Sequence, residues 1–119
     1  MPELPEVEVV TRSLKKTIKN RKIINITVNN RNLRFKIPEN FESVLKNKIV
    51  KNIKRKSKYI IFDFDNNFYT ILHLGMSGTL HIPTNKKVSN LSFYSNPVLP
   101  RKHNHIIINF KKFKLIYND

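Results

Sequence analysis

The chain has 119 residues, no cysteine, and 23 Lys+Arg against 8 Asp+Glu, a formal net charge of +15. That length suits one domain with room for a core, and the missing cysteines exclude disulfides, a thiol nucleophile and a cysteine-ligated zinc site. No apolar run approaches the roughly 20 residues of a membrane span and the start lacks a signal-peptide pattern, so the expectation is a soluble, cytosolic protein whose charge points to a polyanionic partner, nucleic acid first.

The chain opens MPELPEVEVV. Pro5 suits the first turn of a helix, and Glu3, Glu6 and Glu8 favour the positive end of its dipole. Val7, Val10, Leu14 and Ile18 fall on one helical face, which predicts a helix from about Pro5 to Lys19. IINITV follows, alternating at Ile24, Ile26 and Val28 as a strand does. Pro38 to Asn47 reads as a short helix with Phe41, Val44 and Leu45 on its apolar side. KIVKNIKRKSKYIIFDFD reads as two strand pieces around a basic segment, DNN as a turn, and NFYTILHL as the returning partner strand. GTLHIP, HNHIIINF and KFKLIY supply further strands, with Lys111 and Lys112 turning the last hairpin. The segment between them, about residues 83–101, reads as a long loop. The sum is a mainly β domain, an antiparallel sandwich with one N-terminal helix.

The charge is uneven. LKNKIVKNIKRKSKYII holds seven Lys and Arg and no acid, and no Asp or Glu occurs from Asn66 to Asn118. Lys, Asn and Ile share AT-rich codons, so mutational bias can supply part of this excess. The acids gather at the N-terminus, at Glu39 and Glu42, and at Asp63 and Asp65. Carboxylates at the tip of a basic, phosphate-binding body would repel nucleic acid unless they have a task.

Three places could do chemistry. Removal of Met1 would leave Pro2 with a free secondary amine, titrating near neutrality. Such an amine attacking an aldehydic sugar carbon forms an iminium, an electron sink for elimination, and Glu3 is next door as acid or base. The alternative is a plain capped helix start. Lys58, at the end of the basic run, could hold a phosphate or move a proton, or be one more solvated lysine. Both glycines of the chain fall in HLGMSG, as Gly75 and Gly78. A backbone pressed against a ligand, with Met76 projecting, competes there with an ordinary hairpin turn. His73 precedes this stretch. His103 and His105 share a strand face, but the usual metal-ligand spacings and carboxylate partners are missing, so no metal site is expected.

PELPEVE at the start, KYI, HLGMSG and a KHxH stretch occur in this order, and in them the chain resembles the N-terminal domain of the bacterial formamidopyrimidine-DNA glycosylase family. Leu4 favours this branch over the endonuclease VIII branch, which typically starts PEGPE. The resemblance spans residues 1–119 as one catalytic domain, the long loop excepted. It implies DNA repair in a bacterial cytoplasm, at the nucleoid. The chemistry would be excision of oxidised purines such as 8-oxoguanine and formamidopyrimidines from damaged double-stranded DNA, followed by strand cleavage at the abasic site. It implies Pro2 as Schiff-base nucleophile, Glu3 as the assisting acid, and Lys58 in β-elimination and phosphate contact. His73 and His103 would contact DNA, Met76 would fill the gap left by the flipped nucleotide, and Glu6 would steady the site. The protein would be a monomer without a cofactor of its own. The family's PRRFG wedge, its helix–two-turn–helix module and its four-cysteine zinc finger find no match before the chain stops at YND. A shortened, inactive DNA-binding remnant is therefore the alternative, and an RNA-binding protein draws support from charge alone.

Overall fold

The computed structural model describes residues 4–32, 36–65, 68–74, 78–83, 88–90 and 104–119. Helix α1 spans Leu4–Ile18. Its period of about 3.6 residues puts Val7, Val10, Leu14 and Ile18 on one stripe, and each is at most 1% exposed. Thr11 lies on the same buried face, where its hydroxyl donates to the Val7 carbonyl at 2.8 Å. The helix stops where Asn20 turns to φ +67°, a conformation asparagine tolerates. The Asn20 N–H then donates to Val50 at 2.7 Å and ties the helix end to the body.

After it come β1 (Asn25–Val28), α2 (Phe41–Leu45), β2 (Asn52–Lys56), β3 (Tyr59–Asp63) and β4 (Tyr69–Leu72), then β5 (Thr79–Pro83), β6 (Val88–Asn90), β7 (Asn104–Asn109) and β8 (Lys114–Asn118). They form a five-stranded sheet in the order β1-β7-β8-β5-β6 and a three-stranded sheet β2-β3-β4. All pairings are antiparallel. One hydrophobic cluster joins both sheets and the helix: Ile53, Ile60 and Phe62 from the smaller sheet, Ile26, Leu80, Ile82 and Leu115 from the larger, and the α1 stripe. This is the expected sandwich with its helix. A partly open apolar cleft of about 310 Å³ borders this core, and Lys58 is not among its lining residues.

Three local expectations change. The helix read from Pro38 to Asn47 is only Phe41–Leu45. Pro38 accepts a turn bond from the Phe41 N–H at 3.1 Å, and Lys46 leaves the helix at ψ 132°, with Asn47 beyond it at φ +69°. The basic segment is not a linker between strand pieces. Most of it is strand β2, and the turn to β3 is only Ser57–Lys58, since Lys56 pairs with Tyr59. Inside the segment read as a loop, Val88–Asn90 pairs with β5. Of the DNN turn, Asn66 and Asn67 lie outside the described residues; the Phe64 N–H donates to Phe68 at 2.8 Å across it. The last hairpin turns at Lys111 and Lys112 as expected, closed by the Phe110 N–H to Phe113 at 2.9 Å.

Candidate active site

Lys58 is the second residue of the two-residue turn between β2 and β3. Ser57 before it takes φ +54°, and a positive φ at the first turn position matches the right-handed twist of the flanking strands. Lys58 is half-buried rather than fully solvated, and no carboxylate among the described residues pairs with it. Its neighbour Tyr59 begins β3, whose register with β4 (Ile60 opposite Leu72) carries His73 alongside Tyr59. The two rings meet at 5.1 Å between centroids. Lys58 and His73 therefore stand at the same end of the small sheet.

From that end the chain crosses to the other sheet. The Gly78 N–H donates to the Leu74 carbonyl at 2.9 Å. A Cβ on Gly78 would lie 2.2 Å from that oxygen and 3.0 Å from the Tyr117 ring, so only glycine fits. The close approach at this glycine is to the protein's own backbone and the Tyr117 ring; Gly75 and Met76 lie outside the described residues. Thr79 then opens β5 opposite Asn118, and Asn118 pairs with Asn104, the first residue of β7. Side chains clamp this corner. The Asn118 amide donates to Asn104 Oδ1 at 2.7 Å, the Asn29 amide donates to the Asn104 carbonyl at 2.8 Å, and His105 Nε2 lies 2.8 Å from the Asp119 carbonyl. A bulge between Asn104 and Ile106 breaks the register there, a device that re-aims a strand end.

The small-sheet end and the large-sheet corner are thus linked through the Gly78–Leu74 hydrogen bond. Of the residues expected to do chemistry, Lys58 and His73 fall at the small-sheet end. Pro2, Glu3, Met76 and His103 lie outside the described residues. Their described chain neighbours are Leu4 at the start of α1, Leu74 and Gly78 at the bridge, and Asn104 at the start of β7. Among the described residues no group of three or more His, Asp or Glu could hold a metal. The chain has no cysteine, so a four-thiolate zinc site cannot be built from it. No described helix is long and apolar enough to cross a membrane.

The pairing of two residues at this end escaped the sequence reading. Glu8 Oε1 accepts from Arg55 Nε at 2.6 Å and Glu8 Oε2 from Arg12 Nε at 2.9 Å. The hydrogen bond from Arg55, then that from Arg12, holds the Glu8 carboxyl below its ordinary range. Part of the acidic tip therefore ties down arginines, and Glu6 is buried, 4% exposed. Alternation in the basic run could have found Arg55, since it shares a strand face with the buried Ile53 while Lys54 and Lys56 point to solvent.

The chain matches the family described as the formamidopyrimidine-DNA glycosylase N-terminal domain over residues 1–119. It is 45% identical to the formamidopyrimidine-DNA glycosylase of Wolbachia pipientis subsp. Culex pipiens, over all of this chain and 40% of that protein. The corresponding enzyme of Bartonella henselae is 38% identical, over all of this chain and 42% of its own length. Among solved structures, Lactococcus lactis Fpg in complex with DNA containing an abasic site superposes with a TM-score of 0.79 at 33% identity, covering 98% of this chain and 40% of that one. The chain thus spans about two-fifths of the length of the relatives it matches. The motifs, the two-sheet fold and this full-length match place the chain in the formamidopyrimidine-DNA glycosylase family, in the part that forms the family's N-terminal domain.

Proposed function

We propose that residues 1–119 are the catalytic domain of a base-excision DNA glycosylase and abasic-site lyase acting on oxidised purines, 8-oxoguanine and formamidopyrimidines, in double-stranded DNA. The Pro2 nitrogen, freed by loss of Met1, attacks C1′ of the damaged nucleoside. The glycosidic bond breaks and the base departs with a proton, while Glu3 protonates the opening sugar oxygen. The resulting iminium acidifies C2′. Loss of a C2′ proton then expels the 3′ phosphate, with Lys58 holding that phosphate or taking the proton. His73 and His103 grip the backbone, and Met76 fills the space of the extruded nucleotide, whose reacting carbon cannot be reached inside the stack. The work is done by a monomer, without a cofactor from this chain, in the bacterial cytoplasm at the nucleoid.

One observation carries this reading. The half-buried Lys58, the His73 ring and the Leu74–Gly78 bridge gather at one end of the small sheet, and Glu8, one turn into α1, is tied to that same end through Arg55. The test is borohydride trapping of the Met-free protein on abasic duplex DNA at low salt. A covalent adduct is expected, weakened in Pro2→Gly and abolished when Met1 is retained. Binding without an adduct would overturn the catalytic reading and leave a basic DNA-binding domain.

A further inference from the structure

We propose that Arg55 is a positioning residue, a strut that fixes the turn bearing Lys58 against the start of helix α1. The inference rests on the lyase reading above. Arg55 makes two bonds in different directions. Its Nε donates to Glu8 Oε1 at 2.6 Å, and its Nη1 donates to the Ser57 carbonyl at 3.1 Å. That carbonyl belongs to the same rigid peptide unit as the Lys58 N–H, so the second bond sets the plane from which Lys58 departs. Ser57 needs this support, because its φ of +54° is unfavourable for a residue with a Cβ. The first bond reaches one helical turn into α1, about 6 Å along the axis from Leu4 at a rise of 1.5 Å per residue. Arg12 grips the other Glu8 oxygen and holds the carboxylate in place. Lysine could not do this, since it offers a point charge where two acceptors demand a planar fork.

Arg55 differs from its basic neighbours. Its side chain is 29% exposed, against 58% for Lys54, adjacent in sequence and on the opposite strand face. A strut and a phosphate contact predict opposite responses to the loss of Glu8. If Arg55 served DNA directly, removing the carboxylate would free it and strengthen binding. If Arg55 is a strut, removing the carboxylate loosens Lys58.

The experiment compares the wild-type full chain with Glu8→Gln, Arg55→Lys, the double variant and Lys58→Ala on abasic duplex DNA. Imine is read by borohydride trapping, scission under single turnover, and affinity by titration. In Glu8→Gln and Arg55→Lys, scission per trapped imine should fall about tenfold, the scale of a small misplacement of a reacting group. DNA affinity should stay within about twofold, and the double variant should be no slower than either single one, as expected for one shared interaction. Glu8→Gln should add nothing to the defect of Lys58→Ala. The inference is overturned if Glu8→Gln binds more tightly with scission unchanged, or if Arg55→Lys matches the wild type. It also fails if trapping and scission fall together with the melting temperature, which marks a merely structural loss. Absence of any adduct from the wild type defeats the lyase reading itself, and the strut falls with it.

Discussion

His81 is completely buried on β5, with Nε2 2.6 Å from the Thr79 hydroxyl and, among the described residues, no partner for Nδ1. The assignment that leaves the fewest orphan groups has Nε2–H donating to Thr79 Oγ1, whose own hydrogen turns toward the Asn118 carbonyl at 3.5 Å. Burial disfavours the imidazolium and lowers the pKa of this ring. The unfolded chain, titrating near ~6.5, therefore holds the proton more tightly than the fold does. The stability supplied by the neutral ring is complete above that pH and drains away as the pH falls below it. Urea midpoints measured from pH 7.5 down to 5 should decline more in the wild type than in His81→Phe; parallel declines would contradict this. Gly78 makes a second claim at this scale. Alanine there sets a carbon against the Leu74 carbonyl and should cost about 1–3 kcal/mol, the range for a forced backbone shift, with an unchanged urea midpoint as the contrary result. The glycine was legible because the chain has only two. Arg55 was legible only as an inward-facing member of the basic run, by its alternation with Ile53; its partner Glu8, 47 residues away, was not.

Among the elements, α1 was legible nearly residue by residue, since its stripe of four aliphatic side chains repeats at helical spacing and nothing in the tertiary fold overrides it. Helix α2 was legible only as a location. Its five residues are shorter than any periodicity can bound, and a turn bond at Pro38 trims one end. β6 was illegible for a related reason, because Val88–Asn90 is three residues long and is held by its pairing with β5 rather than by its own pattern. The β2–β3 hairpin was read as two strands, but not the tightness of its turn, which depends on a serine in a conformation that glycine usually takes. Ser57→Gly should relieve about 1–2 kcal/mol of that conformation. Set against the ~0.4–1 kcal/mol of extra freedom glycine has when unfolded, the net gain is about 0–1.6 kcal/mol. Chemical denaturation measures it, and a loss of stability would show that the turn is not strained as described.

For the whole molecule, composition foretold a basic domain, while the sheet order β1-β7-β8-β5-β6 left no local trace. β1 pairs with β7 across some 80 residues, as Asn25 opposite Asn109 shows, and no short-range pattern encodes such a partnership. Five of the chain's eight acids are ion-paired among the described residues: Glu8 with Arg55 and Arg12, Glu39 and Glu42 with Arg31, Asp63 with Lys54 at 3.0 Å and Asp65 with Lys51. The positive excess is left for an external partner. Each phosphate neutralised should contribute about −0.9 to the slope of log affinity against log salt, so duplex DNA binding should show a slope of about −3 or steeper. A nearly flat dependence would refute the electrostatic account. The most direct measurement of the catalytic claim locates the bond itself. After borohydride reduction on abasic DNA, the adduct is digested and the modified peptide read by mass spectrometry. The predicted product carries the sugar remnant on the nitrogen of Pro2, in a chain that has lost Met1. A remnant on Lys58 or any other lysine, or no remnant while Met1 is gone, would contradict it.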